Sequence, residues 1–266
     1  MNLSSLQGQL NQSEFFIYAA ADANYFDLYG RALVNSILRN TTHGIHLHIY
    51  NPRKDQLDFC QQPRVSVSWE TIRDSEFDAP FSYWNREDLS ALQLGRKKKM
   101  LGLKQYEERG TDPEQLRRWL WKTYYACMRF VRIAELINEP RRFLEIDVDG
   151  LVRKPFDYNL QGNDFYLYEK AKGGHLAGSI LFTESQRSLD FIKELGQVIR
   201  QQIVQDNIYW FLDQHSLDAI IPKYNRGLLP INYIDWHMNP DSAIWSAKGK
   251  RKELEIFQKE IQRYIK

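Results

Sequence analysis

The first residues to suggest chemistry are Asp147-Val148-Asp149-Gly150, which close an apolar run. Two carboxylates two positions apart can converge on one hard divalent cation, and Mg2+ or Mn2+ held that way keeps coordination positions open for phosphate oxygens. Ligands of open α/β sheets bind beyond the carboxyl ends of the strands, so an acidic pair there suits a metal that holds a diphosphate. Two aspartates followed by glycine are also ordinary strand-end turn chemistry. Ala20-Ala21-Asp22-Ala23-Asn24-Tyr25 ends an earlier apolar run. There an aspartate can accept hydrogen bonds from a base or ribose and a ring can stack, while Asp22 or Asp27 can equally cap a following helix. Trp245 to Lys252 combines Gly249 with Lys248, Lys250, Arg251 and Lys252, a composition that wraps a phosphate group or lies solvated. Asp213-Gln214 stands within an aromatic, apolar helical stretch, where a carboxylate is not buried without a partner or a task unless that helix face is exposed. The basic run at 96–99 lacks glycine-spaced context and reads as solvated, or as a contact for an anionic acceptor. Tyr83, Trp84, Tyr233 and Trp236 are candidates for stacking on sugar rings, with core or rim packing as the alternative.

These motifs require a scaffold to position them. Phe15 to Ala21 is the continuous apolar run of a buried strand, and a helix is predicted over Gly30 to Arg39, with Leu33, Val34, Ile37 and Leu38 recurring at helical spacing. Asn40 and Gly44 stop it before a second strand, Ile45 to Tyr50, and Val65 to Trp69 alternates as a third. Residues 74–111 are punctuated by proline and glycine and receive no assignment. Thr111 or Asp112 can cap a long helix beginning at Pro113, whose face is marked by Leu116, Leu120, Cys127, Val131 and Ala134 and which stops near Asn138 and Pro140. Residues 143–152 read as one extended strand, with Phe143, Glu145, Asp147 and Asp149 on one side. Short strands at 164–169 and 179–182 follow, then helices over Ser185 to Val204 and about Asn207 to Ile221. A final stripe, Leu254, Phe257, Ile261 and Tyr264, predicts a docked terminal helix. The alternation predicts an α/β fold: a Rossmann-like, mostly parallel central sheet with helices on both faces, and a smaller lobe after it.

Composition narrows the function classes. The 36 basic and 34 acidic side chains leave a formal charge of +2 over 266 residues, which argues against nucleic acid as the partner. No apolar run approaches the roughly 20 residues of a membrane-spanning helix. The first fourteen residues lack the basic start and apolar centre of a secretion signal and read as a flexible polar tail. Cys60 and Cys127 have no CxxC spacing, so neither a zinc site nor a disulfide framework is expected, and a cytoplasmic location fits.

Taken together, and in this order, the motifs over most of residues 15–252 resemble the retaining glycosyltransferases of the GT-A fold, the group that includes glycogenin and bacterial lipooligosaccharide galactosyltransferases. The resemblance implies that Ala20, Asp22 and Asn24 contact the uridine part of a sugar nucleotide, and that Arg129 lies near the donor sugar and phosphates. It implies that Asp147 and Asp149 are the Asp-x-Asp pair for Mn2+ or Mg2+. Asp213 and Gln214 then sit beside the transferred sugar, and Gly249 and Lys252 belong to a His-x-x-Gly-x-x-Lys loop that closes over the diphosphate. One GT-A domain would span 15–266, with a nucleotide-binding lobe at about 15–155 and an acceptor-side lobe at about 156–266. The implied activity moves a sugar from a nucleoside diphosphate sugar, UDP-linked by preference, to a hydroxyl of a glycan, lipid-linked or protein acceptor. A homo-oligomer is compatible with this. Two positions depart from the family pattern: Ser246 stands where it has histidine, a place His237 is a candidate to fill, and Leu176-Ala177-Gly178 stands where it has Asn-Ala-Gly. Those departures motivate a second reading, a catalytically silent GT-A module that binds a glycan or protein. A sugar-nucleotide-forming nucleotidyltransferase is less favoured, because no glycine-rich basic loop follows Ala21.

Overall fold

In the computed structural model the described residues are 3–10, 13–72, 113–169, 175–205, 208 and 211–265, with 113–120 described by backbone alone. The basic run at 96–99, Tyr83, Trp84, the caps at Thr111 and Asp112, and the Leu116 and Leu120 side chains lie outside them. The strands are β1 (Gln7–Gly8), β2 (Phe15–Asp22), β3 (Gly44–Tyr50), β4 (Val65–Glu70), β5 (Arg142–Ile146), β6 (Gly150–Val152), β7 (Phe165–Glu169), β8 (His175–Phe182), β9 (Arg226–Leu228), β10 (Ile234–Asp235) and β11 (Ile244–Ser246). The helices are α1 (Ala23–Tyr25), α2 (Arg31–Asn40), α3 (Lys54–Phe59), α4 (Pro113–Leu136), α5 (Gln186–Val204), α6 (Leu212–Ile220) and α7 (Glu255–Ile265). An eight-stranded sheet runs β1-β4-β3-β2-β5-β8-β7-β9, and a three-stranded sheet runs β10-β11-β6. β4, β3, β2 and β5 are mutually parallel, whereas β5, β8 and β7 pair antiparallel and β9 is parallel to β7, so the parallel half predicted from the sequence is joined to a mixed half.

Alternation along β2 divides the core. Phe16 and Tyr18 pack with α4, α5 and α6, while Phe15, Ile17 and Ala19 pack with Leu33, Val34 and Ile37 of α2 on the other face. Tyr18 also donates to the Arg129 carbonyl at 2.9 Å, which anchors that turn of α4 over the sheet. α4 and α5 meet at Gly196, where a Cβ would lie 2.6 Å from the Ala134 Cβ. The terminal helix docks as predicted through Phe257, Ile261 and Tyr264, but Leu254 precedes the helix and is exposed.

Two elements differ from the sequence reading. The N-terminal segment carries β1, whose Gln7 and Gly8 pair antiparallel with Trp69 and Ser68 and so cover the edge of β4. Residues 143–152 are not one strand. β5 ends at Ile146, the Gly150 amide donates to the Asp147 carbonyl at 2.9 Å, and the chain leaves for the second sheet. Asp147 and Asp149 therefore project from a tight turn between two sheets and not from one face of an extended strand.

Candidate functional site

The turn at Asp147 lies at the carboxyl end of β5, and because β2 runs parallel to β5 the loop after Asp22 opens on the same edge. Alternation on β5 sends Phe143 and Glu145 towards α4, where Arg129 meets the acidic groups. Its Nη1 donates to Asp147 Oδ1 at 2.5 Å and lies 3.1 Å from Glu145 Oε1, and its Nη2 donates to Asp213 Oδ2 at 3.3 Å. The other Asp147 oxygen faces Lys248 Nζ at 3.2 Å. Asp149 Oδ2 pairs with Lys252 Nζ at 2.5 Å and accepts from the Tyr25 hydroxyl at 3.1 Å. Gly178 permits this crowding, since a Cβ there would come within 2.5 Å of the Asp147 carboxylate carbon.

The basic loop reaches the acidic turn through sheet pairing. β11 is antiparallel to β6, with Ser246 opposite Gly150, so the residues after Ser246 return over Asp147 and Asp149. Gly249, at φ 58°, starts the turn that carries Lys252 back. On the other side, the β7–β8 register slips between Leu167 and Glu169, and the Ala177 amide donates to Gln214 Oε1 at 3.1 Å. α6 begins just after Phe211, which has a left-handed φ of 71°, a conformation that costs a bulky residue energy and tends to be kept at functional sites. A cleft of about 180 Å³ results, bordered by Arg129, Asp147, Gly178, Asp213, Gln214 and Lys248.

Charge is distributed unevenly in this cluster. Burial disfavours ionised Asp147, yet Lys248 and Arg129 override it and hold that carboxyl well below the usual carboxylate range. Burial and the neighbouring Asp147 push Asp149 upward against Lys252, and burial pushes Asp213 upward against Arg129. Burial lifts the Glu145 carboxyl to about 8 despite Arg129, so near neutral pH the 3.1 Å approach is mainly guanidinium to protonated carboxyl rather than a full ion pair. Among the described residues neither Glu145 oxygen has a hydrogen-bond partner, nor have the buried Asp149 Oδ1, Arg129 Nε and Ser246 Oγ.

Of the residues singled out in the sequence, Arg129, Asp147, Asp149, Asp213 and Lys252 meet in this one cluster, with Gln214 beside it. Asp22 caps α1 by accepting from the Tyr25 amide at 2.8 Å, Ala20 is half-buried near the end of β2, and Asn24 is exposed. Their loop joins the cluster through Tyr25. Glu145, Lys248 and Tyr25 complete the cluster; strand alternation points to Glu145 and loop composition includes the other two, but no motif sets them apart.

The acidic turn already has cationic partners where a divalent metal would bind. Three of the four Asp147 and Asp149 oxygens are engaged by Arg129, Lys248 or Lys252, and Asp149 Oδ1 has no hydrogen-bond partner among the described residues. Among the described residues no group of three or more His, Cys, Asp or Glu is arranged to hold an ion, and His237 is exposed, its amide bonded to Asp235. Unit like charges ~4 Å apart repel by about 4 kcal/mol at an effective dielectric of ~20, and a dication doubles that. The residues present do not fit Mn2+ or Mg2+ as a resident ion.

The sequence matches no family profile and no curated protein. In three dimensions it is similar to solved glycosyltransferases. The galactosyltransferase LgtC, solved with donor and acceptor sugar analogues, superposes with a TM-score of 0.55 at 12% identity, covering 93% of this chain and 95% of LgtC. GlyE of Streptococcus pneumoniae TIGR4 gives 0.55 at 13% identity over 92% of this chain and 60% of its own. The bifunctional glycosyltransferase WbbM gives 0.54 at 14% over 97% and 51%. The chain thus spans little more than half the length of the last two. Its fold is the GT-A glycosyltransferase fold. Among the described residues no helix is long and apolar enough to cross a membrane.

Proposed function

We propose that this protein is a glycosyltransferase that moves a sugar from a UDP-sugar to an acceptor hydroxyl, with retention at the anomeric carbon. The observation that carries this reading is the Arg129 cluster: a buried guanidinium, four carboxyl groups and two lysines at the strand ends of a sheet whose architecture is shared with sugar transferases. In the reaction the bond from the anomeric carbon to the diphosphate oxygen breaks, the bond to the acceptor oxygen forms, and the acceptor proton passes to the released UDP. Positive charge grows on the sugar and negative charge on the leaving group, so catalysis needs fixed countercharges on both sides of one bond.

Each residue has a place in that scheme. Asp213 and Gln214, which line the cleft, stabilise the oxocarbenium-like carbon, and Gln214 is held by the Ala177 amide. Arg129 orients Asp147 and Asp213 together and keeps their charges apart from the sugar until it binds. Lys252 and the Gly249 backbone lie on the diphosphate side, and Ala20, Asp22 and Asn24 line the uridine side. The cleft is smaller than the ~300–1,000 Å³ of drug-sized sites, which suits one sugar ring rather than a whole nucleotide. The test is a panel of nucleotide sugars with release of nucleotide as the readout. UDP should appear from at least one UDP-sugar, and Asp213→Asn should slow it by about 100-fold; no release from any donor would remove the enzymatic reading.

A further inference from the structure

We propose that Lys248 and Lys252 together take the place of a divalent cation, so that the diphosphate is bound and discharged without metal; this rests on the nucleotide-sugar reading above. The argument is positional. Each aspartate of the acidic turn has its own ammonium, Lys248 on Asp147 at 3.2 Å and Lys252 on Asp149 at 2.5 Å. Two ammoniums carry the charge of one divalent ion, and the carboxylates serve as positioning residues for them. Aromatic rings flank both: the Trp236 ring centroid lies 5.1 Å from Lys248 Nζ, and those of Tyr25 and Tyr29 lie 4.7 and 5.5 Å from Lys252 Nζ. An ammonium has three donors: Lys248 spends one on Asp147, and Lys252 spends one on Asp149 and one on the Tyr25 hydroxyl, so both keep a donor for phosphate oxygens. Neither side chain is sealed off, at 31% and 23% exposure, and Lys248 borders the cleft. Ser246, 2% exposed and paired opposite Gly150, adds only a neutral hydroxyl beside the acidic turn. As the sugar–phosphate bond breaks, charge appearing on the leaving oxygen meets ammoniums already in position.

Binding of UDP to the full chain by calorimetry, in EDTA and again in MnCl2, tests this. The expected result is the same dissociation constant in both within a factor of about two, with no loss of the free Mn2+ signal in electron paramagnetic resonance when protein is added. Lys248→Ala and Lys252→Ala should each weaken binding in EDTA by roughly 10-fold or more, as expected for loss of a charged hydrogen bond, whereas Lys248→Arg should retain most of it. UDP binding that requires Mn2+ would overturn the metal-free inference and leave the transferase reading standing. No UDP binding in either buffer would overturn both.

Discussion

Arg129 and Arg132 leave α4 within one turn of each other and both are buried, yet their surroundings are built on opposite plans. Arg132 Nε donates to Glu70 Oε1 at 2.9 Å, its Nη2 reaches the other Glu70 oxygen and the Ser4 carbonyl, and its Nη1 pairs with Glu135 at 2.7 Å. Glu70 continues the chain to His48, Ser68, His46 and Ser66 across β3 and β4. Among the described residues, none of these leaves a buried polar side-chain atom without a partner, whereas the Arg129 cluster leaves several. A closed network fixes the N-terminal segment and β4 to α4, and an open one keeps bonding capacity for something that arrives.

The contrast is broken or sharpened first by removing each guanidinium. Arg132→Met strands Glu70 in the interior and should cost about 3–5 kcal/mol in denaturant titrations. Arg129→Met should cost less than half as much, because Asp147 keeps Lys248 and Glu145 is already mostly protonated, while turnover falls at least about 100-fold. Equal losses of stability would make Arg129 a structural residue and end the comparison.

Acid should act through the closed network. Burial lowers the folded-state value of His46 to about 3, and burial lowers that of His48 despite Glu70. Below the ordinary histidine value of 6.5 the unfolded chain binds protons that the folded chain refuses, so stability is complete above 6.5 and lost as pH falls towards 3. Between pH 6.5 and 5 the loss is roughly 2 kcal/mol for His46. Glu70 adds in the same direction lower down: burial opposes its ionisation, but His48 and Arg132 hold it at about 2, so its contribution disappears as pH drops below 4.5. Glu145, lifted to about 8 by burial, gains stability over the same interval, so the ladder's share is read from urea titrations of wild type and His46→Gln at pH 7.5 and 5.0; the same pH dependence in both would show that the ladder is not buried neutral.

How much of either region was legible in the sequence depends on how local its chemistry is. Asp147 and Asp149 stand out by spacing alone, and the parallel core follows from the alternation of apolar runs with helical periods. Reading 143–152 as one strand failed because the apolar residues on both sides of the acidic pair belong to different sheets; the Asp-Gly turn was the one signal of the break. Arg129 was visible only through a family resemblance, since nothing in its helix distinguishes it from Arg132. Lys248 was one of four cations in a short loop, and only the β6–β11 pairing separates it from Lys250 and Arg251. The histidine ladder had a signature, His46 and His48 alternating opposite Ser66, Ser68 and Glu70, but the strand register that aligns them is a tertiary fact.

Gly178 probes the seam between scaffold and site. Its hydrogen faces the Asp147 carboxylate, which a methyl would meet at 2.4 to 2.5 Å. Gly178→Ala must move that carboxylate off Arg129 or Lys248, so a stability loss of about 1–2 kcal/mol is expected from overpacking. Gly196→Ala crowds the α4–α5 contact and should cost a similar amount without touching turnover. The pair separates strain from function: thermal melts should shift alike and nucleotide release should fall only for Gly178→Ala. Loss of activity in both would mean that helix packing, not the carboxylate's position, controls the site.

The smallest expected effect has the opposite sign. Burial holds the Asp213 carboxyl above its ordinary value even with Arg129 beside it, so at neutral pH its ionised form costs folding energy. Asp213→Asn keeps an oxygen for the Gln214 amide, which donates to Asp213 Oδ1 at 2.8 Å, and removes the charge. The variant should be more stable by less than about 1 kcal/mol, a rise in Tm of no more than ~2–4 °C. The folded wild type takes up the proton before the unfolded chain does, so its own stability gains as pH falls and the advantage of the variant should shrink in acid. A variant that melts below wild type at pH 7.5 would show that the Arg129–Asp213 attraction outweighs burial, and the open cluster would then be held together as firmly as the closed one.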